Sequence, residues 1–234
     1  MKKSVRSRKK EAVRKQQKEK GPQYVISDRL FHEDHLYRYL EDFISQNHLE
    51  QSSRALPFAK EKHEGQVRRG KDHIPFIYHP LLVTCHGIAL GWREDEMIAA
   101  ALLHDVCEDC NVKYDELPVS EEVQEAVRCL TRTYAGDVRT LEEETAYYQR
   151  IINNRIATCV KLLDRCNNIS SMSSGFTMEG IKRYIDDTET WIYPLILEAE
   201  KRYPEDLHQL FVIQYHMKSV MDNMKRELMW HMAK

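Results

Sequence analysis

Between Leu103 and Cys110 the chain sets four ionisable groups, His104, Asp105, Glu108 and Asp109, at the end of an apolar run that begins at Met97. His104 and Glu108 stand four residues apart, as do Asp105 and Asp109. On a helix the four therefore share adjoining faces at one end. The preceding Met97, Ile98, Ala99, Leu102 and Leu103 take that helix into a core. Charge set against a core is costly unless something compensates it. A divalent cation compensates an adjacent His–Asp pair most directly. The competing reading leaves Glu108 and Asp109 as decoration of a solvated helix end and makes His104 a hydrogen-bonded structural histidine.

Three further polar islands lie in apolar helical surroundings. His63-Glu-Gly-Gln66-Val-Arg68-Arg69-Gly70 closes a helix that contains Leu56, Phe58 and Ala59, and Tyr78-His79-Pro80 opens the next. The third, Lys161, Asp164, Arg165 and Asn168, follows an i, i+3, i+4, i+7 stripe. Singly, each has an ordinary explanation: a capping histidine, or a solvent face. Together, two histidines and two aspartates from three helices make a mixed nitrogen and oxygen set. Such a set suits Mn²⁺, Fe²⁺ or Zn²⁺ with open water positions rather than a closed structural zinc. A metal held this way lowers the pKa of water and clamps a phosphate oxygen, which is hydrolytic chemistry. Lys161, Arg165, Arg68 and Arg69 then supply the cations that a phosphorylated substrate needs.

The elements that must position these groups are helical. Apolar spacing predicts helices over about 33–46, 52–65, 80–90, 94–109, 121–133, 142–170, 178–201 and 205–231. Pro80 fits a helix start, and Ser120 before Glu121 and Glu122 reads as a cap. Strand signals are sparse; Ile74-Pro-Phe-Ile-Tyr78 is short and broken by proline. The expected fold is all-α, with a basic arm at 1–23, a catalytic unit at 24–201, and a C-terminal helix at 202–234 packed on it.

Charge is unevenly distributed. Residues 1–20 hold ten Lys/Arg against two Glu, while the remainder holds 25 basic and 35 acidic residues. An acidic body argues against a nucleic-acid-binding core. The arm has too few apolar residues to fold alone and reads as a solvated tail. A contact of that arm with RNA or the ribosome is the alternative reading. No run of 18 apolar residues occurs, so no membrane span is expected, and the basic start has no apolar segment of a secretory signal. Cysteines at 85, 107, 110, 129, 159 and 166 form no disulfide framework, which suits a reducing cytoplasm.

The ordered motifs H-x-G-Q-x-R, Y-x-H-P-L, A-A-L-L-H-D-V-x-E-D and V-K-L-x-D-R-x-x-N resemble the HD-domain hydrolase module of the RelA/SpoT homologues, which degrade (p)ppGpp. Glu189-Thr190-x-x-Tyr193 adds a looser match, because Pro194 follows Tyr193 one position early. The resemblance spans roughly residues 55–200. It implies an HD-domain helical bundle with a C-terminal helical extension, and a small, hydrolase-only member of the family. It further implies that His63, His104, Asp105 and Asp164 ligate one Mn²⁺, and that Glu108 and Asp109 orient or deprotonate the attacking water. Arg165 and Asn168 would border the nucleotide, Arg68 and Arg69 would lie near its phosphates, and His79 would be a hydrogen-bonder in the pocket wall. The implied reaction releases pyrophosphate from the 3′ position and leaves GDP or GTP.

Two positions depart from the family pattern. Asn167 stands where histidine is usual and Ser171 where arginine is usual. Both border the nucleotide, so they bear on base specificity and leave the metal chemistry untouched. The other readings are a phosphohydrolase of another nucleotide, such as NADPH or a dNTP, and a non-enzymatic nucleotide-sensing or ribosome-associated module.

Overall fold

The computed structural model describes residues 32–68, 73–133 and 140–232, all within one compact unit that runs from His32 to Lys234. The arm at 1–23 and Arg69 lie outside the described residues. The elements are α1 (Glu33–Gln46), α2 (Glu50–Lys62), α3 (Tyr78–Leu90), α4 (Asp95–Leu103), α5 (Val106–Asp109), α6 (Glu121–Leu130), α7 (Leu141–Ile152), α8 (Arg155–Gly175), α9 (Met178–Asp187), α10 (Tyr193–Arg202) and α11 (Leu207–Met232). Among the described residues there is no strand, only an isolated antiparallel bridge between Val67 and Pro75. The all-α expectation holds.

The centre is α4, whose residues from Met97 to Leu103 are all buried. It packs against α2, α3, α6 and α8. Burying all sides of a helix calls for small and apolar side chains throughout, and Met-Ile-Ala-Ala-Ala-Leu-Leu supplies them. Leu162 and Leu163 of α8 are fully buried against this layer. Gly87 lets α3 approach closely, because a Cβ there would stand 3.0 Å from Leu163 Cδ1. The C-terminal α11 covers α8, α9 and α10. Its start is fixed by Asp206, which is buried and accepts from Trp92 Nε1 at 2.7 Å and from Arg155 Nη2 at 2.6 Å.

Three helices read as continuous along the sequence are interrupted in the structure. The helix expected over 94–109 breaks after Leu103: Asp105 takes φ −100° and ψ −8°, and only the short α5 follows. The helix expected over 142–170 divides at Asn153–Asn154, because the Asn154 side chain accepts from Ala157 N at 2.9 Å and caps a new helix. The segment over 178–201 widens into a π turn at Thr188–Ile192 just before Pro194. Proline has no N–H to give to the ladder, and a π turn absorbs such a gap. Among the described residues no helix is long and apolar enough to cross a membrane.

Candidate metal centre

Three elements deliver the ionisable groups to one place. The first turn of α3 presents His79, the break between α4 and α5 presents His104 and Asp105, and the middle of α8 presents Asp164. His104 Nε2 lies 3.1 Å from Asp105 Oδ2 and 3.3 Å from His79 Nε2. His79 Nε2 lies 3.2 Å from Asp164 Oδ1 and 3.6 Å from Asp105 Oδ2. The ligand atoms of His79, His104 and Asp105 all fall within 4.8 Å of one another, a spacing that one metal ion can span. His79, which the sequence reading set in the pocket wall, therefore enters the cluster itself. The break after Leu103 falls at His104 and Asp105, whose side chains meet at 3.1 Å.

Hydrogen bonds at the far side of each ring set the tautomers. His104 Nδ1–H donates to the Ala101 carbonyl at 2.8 Å, His79 Nδ1–H to Asn167 Oδ1 at 2.7 Å, and His63 Nδ1–H to Gln66 Oε1 at 2.8 Å. Each ring thus turns its Nε2 inward, the arrangement that metal-ligating histidines take from their outer partners. His63 caps the end of α2 with its ring stacked on Phe76 at 4.7 Å. Its Nε2 is buried and has no hydrogen-bond partner. An orphaned buried lone pair of this kind fits a ligand position, since a buried polar atom otherwise finds a partner. The donor set of imidazole nitrogens and carboxylates suits a divalent transition ion.

The electrostatics agree with a cation-binding centre. Burial works against ionisation of Asp164, yet Lys161, His79 and His104 outweigh it and hold the carboxyl well below its usual range. Burial likewise lowers His104, but the charges of Asp105 and Asp164 prevail and raise it to about 9. Burial lowers His79 and His63.

Around the cluster opens a cavity of about 650 Å³ lined by Arg68, Tyr78, Glu108, Asp109, Arg132, Lys161, Asn168 and Tyr184 among others. Lys161 Nζ donates to Asp164 Oδ2 at 2.9 Å, and Arg68 Nη2 to Asn168 Oδ1 at 2.7 Å. Asn168 Nδ2 in turn donates to Asp164 Oδ1. Arg165 is buried, its guanidinium 4.1 Å from the Tyr184 ring centre and bonded to Thr188 Oγ1. It serves as a wall of the cavity more than as an open cation. Glu108 is exposed at the rim and accepts from the Arg132 backbone N–H at 3.0 Å. Arg132 was not singled out in the sequence. Its guanidinium binds Glu144 and stands 4.1 Å from the Tyr147 ring centre. A lone arginine just beyond a helix end carries no periodic signal, and only the packing of α6 on α7 brings it to the cavity. The C-x-x-C of Cys107 and Cys110 is no thiolate pair, as burial pushes Cys107 up to about 11 and raises Cys110.

No family model matches the chain. Similarity to individual proteins is clear. The chain is 35% identical over 134 residues to a guanosine-3′,5′-bis(diphosphate) 3′-pyrophosphohydrolase of Aquifex aeolicus, covering 53% of this chain and 18% of that one. It is 27% identical over 147 residues to the bifunctional (p)ppGpp synthase/hydrolase SpoT of Escherichia coli, covering 59% of this chain and 20% of that one. Over 94 residues it is 32% identical to the pyrophosphohydrolase MESH1 of Xenopus tropicalis, covering 38% of this chain and 44% of that one. The chain thus spans about a fifth of the length of the first two relatives. A solved structure described as a metazoan orthologue of SpoT that hydrolyses ppGpp superposes with a TM-score of 0.56. At 19% identity, covering 76% of this chain and 95% of that one, it establishes the helical fold. The resemblance to (p)ppGpp hydrolases read from the motifs is borne out.

Proposed function

We propose that this protein is a metal-dependent phosphohydrolase that removes the 3′-diphosphate of (p)ppGpp, with Mn²⁺ as its cofactor. The observation that carries the reading is the convergence of His79 Nε2, His104 Nε2 and the carboxylates of Asp105 and Asp164 beneath a cavity lined by Arg68, Arg132 and Lys161. The named activity of the relatives supports the choice of substrate. We assign the metal to His79, His104, Asp105 and Asp164, whose ligand atoms converge; the motif-implied His63, with its buried Nε2 lacking a partner, is the further candidate ligand. A divalent ion held there makes water a stronger acid and neutralises charge on phosphate oxygens.

The remaining work falls to the protein's own side chains. Glu108 and Asp109 line the cavity one helical turn beyond His104 and Asp105, where a carboxylate can accept a proton from water directed at phosphorus. Arg68 and Lys161 bring fixed positive charge to the phosphates, and Arg165 and Asn168 border the nucleoside. The catalytic unit is assigned to residues 24–201, with α11 as an added cover. Six free cysteines and a nucleotide substrate fit a reducing cytoplasm.

The test is a substrate panel. Protein purified without chelator and supplied with Mn²⁺ is incubated with ppGpp, NADPH and dNTPs, and the products are separated by ion exchange. Pyrophosphate and GDP from ppGpp, with the other nucleotides intact, is the expected result. Turnover of NADPH or a dNTP in preference to ppGpp overturns the substrate, and no turnover of any of them overturns the enzyme.

A further inference from the structure

We infer that Glu144 is a positioning residue of this site: it anchors Arg132, whose backbone N–H aims the Glu108 carboxylate. The inference rests on the proposed role of Glu108 and names the device that holds it in place. Glu108 is exposed on the four-residue α5. A glutamate on so short and open a turn has rotamer freedom, and a base that must meet one water loses rate to every wrong rotamer. Its Oε2 accepts from the Arg132 backbone N–H at 3.0 Å, a bond from 24 residues along the chain. Thr131 makes that donor available by leaving the helix. It takes φ −70° and ψ 128°, so Arg132 no longer continues the ladder of α6.

Three side chains of α7 hold this exit from α6. Tyr147 Oη–H donates to the Leu130 carbonyl at 2.9 Å, and Arg150 Nη2–H to the Thr131 carbonyl at 3.1 Å. Glu144 takes the next residue by binding the Arg132 guanidinium, which also stands 4.1 Å from the Tyr147 ring centre. The side chains of Glu144 and Arg132 are only 9% and 12% exposed. So buried a pair gives up most of the water around both charges and by itself argues little for stability. It does supply direction. A guanidinium that is bonded and packed on a ring fixes its own backbone, and here that backbone carries the donor for Glu108. A glutamate that served only the dipole of the α7 N-terminus would stand in water, as Glu142 does.

The experiment joins turnover to a readout that needs neither metal nor substrate. For full-length wild type, Glu144→Leu, Glu144→Gln, Glu108→Gln and the double variant Glu108→Gln/Glu144→Leu, kcat and KM are measured on ppGpp with Mn²⁺. The Arg132 amide proton shift is read by nuclear magnetic resonance on the same proteins without metal. Misplacing a catalytic group by about 1 Å costs about 10²-fold. Glu144→Leu should therefore lose kcat by up to roughly 10²-fold with KM within a few-fold of wild type. Glu144→Gln, whose oxygen still accepts from Arg132, should recover most of that loss. In the Glu108→Gln background the same leucine should cost only a few-fold, because groups that act as one unit are not additive. The Arg132 amide should move upfield in Glu144→Leu as its bond to Glu108 weakens. A purely structural Glu144 predicts a lower melting temperature, equal losses in both backgrounds and an unmoved amide, and that outcome overturns the inference. If Glu144→Leu does not fold, Tyr147→Phe removes the bond to Leu130 and keeps the ring. The same amide shift and non-additivity are expected of it, and their absence overturns the inference equally. A wild type that turns over no ppGpp refutes the proposed activity, and the amide shift then decides alone whether Glu144 holds Arg132 to Glu108.

Discussion

Glu108 and Asp105 sit three residues apart and have opposite prospects under mutation. Asp105 Oδ2 is 3.1 Å from His104 Nε2 and belongs to the convergent cluster. Asp105→Ala should abolish bound transition metal, read as metal per chain by elemental analysis. Full stoichiometry in that variant would remove Asp105 from the ligand set. Glu108 is exposed and accepts from the Arg132 backbone N–H, which a glutamine oxygen can also satisfy. Glu108→Gln should therefore keep metal content and melting temperature near wild type. Because general base catalysis contributes about 10²–10⁴-fold, kcat should fall by that factor. Near-wild-type kcat would leave Asp109 as the remaining candidate base. Glu108 and Asp109 were recognisable in sequence because both stand outside the apolar run. Asn167 was noticed only as a departure from a pattern, and its bond to His79, 88 positions away, is a fact of packing.

At the level of elements, the long α8 carries Lys161, Asp164, Arg165, Asn167 and Asn168, so its register fixes a large part of the site. Its N-terminus depends on Asn154, whose side chain accepts from Ala157 N. Loss of such a cap costs about 1 kcal/mol. Asn154→Ala should lower the melting temperature by roughly 2–4 °C in a chain of this size. An unchanged transition would show that tertiary packing alone fixes this helix end. The contact between α3 and α8 is similarly sensitive. At Gly87 alanine gains about 1 kcal/mol of helix propensity. It also forces a Cβ against the fully buried Leu163, and such overpacking costs about 1–3 kcal/mol. Gly87→Ala should be destabilising on balance, measured by chemical denaturation. Stabilisation would mean that Leu163 moves aside freely.

For the whole molecule, the buried Asp206 ties α11 to the bundle through Trp92 and Arg155. Asp206→Ala strands both partners, and the cost should be about 2–3 kcal/mol, reduced because Arg155 is partly exposed. Activity per folded molecule should survive, since no ligand atom lies on α11; a loss of kcat without loss of stability would contradict this. Among the described residues the core cluster begins at Leu36, so a chain that starts at His32 should keep its fold and turnover. A large drop in turnover with folding intact would show that the preceding residues complete the site. The amino-acid sequence by itself determined the all-α class and the identity of most chemical groups. Both follow from local physics: apolar periodicity marks helices, and charge inside an apolar run demands a partner. The tertiary structure alone decided that the helix bearing His104 breaks after Leu103, that His79 faces the cluster, and that Arg132 reaches the cavity. Each of these depends on which helix faces which, over separations of 24 to 88 residues. A pattern of one residue in four does not encode such facings; burial of the apolar faces does.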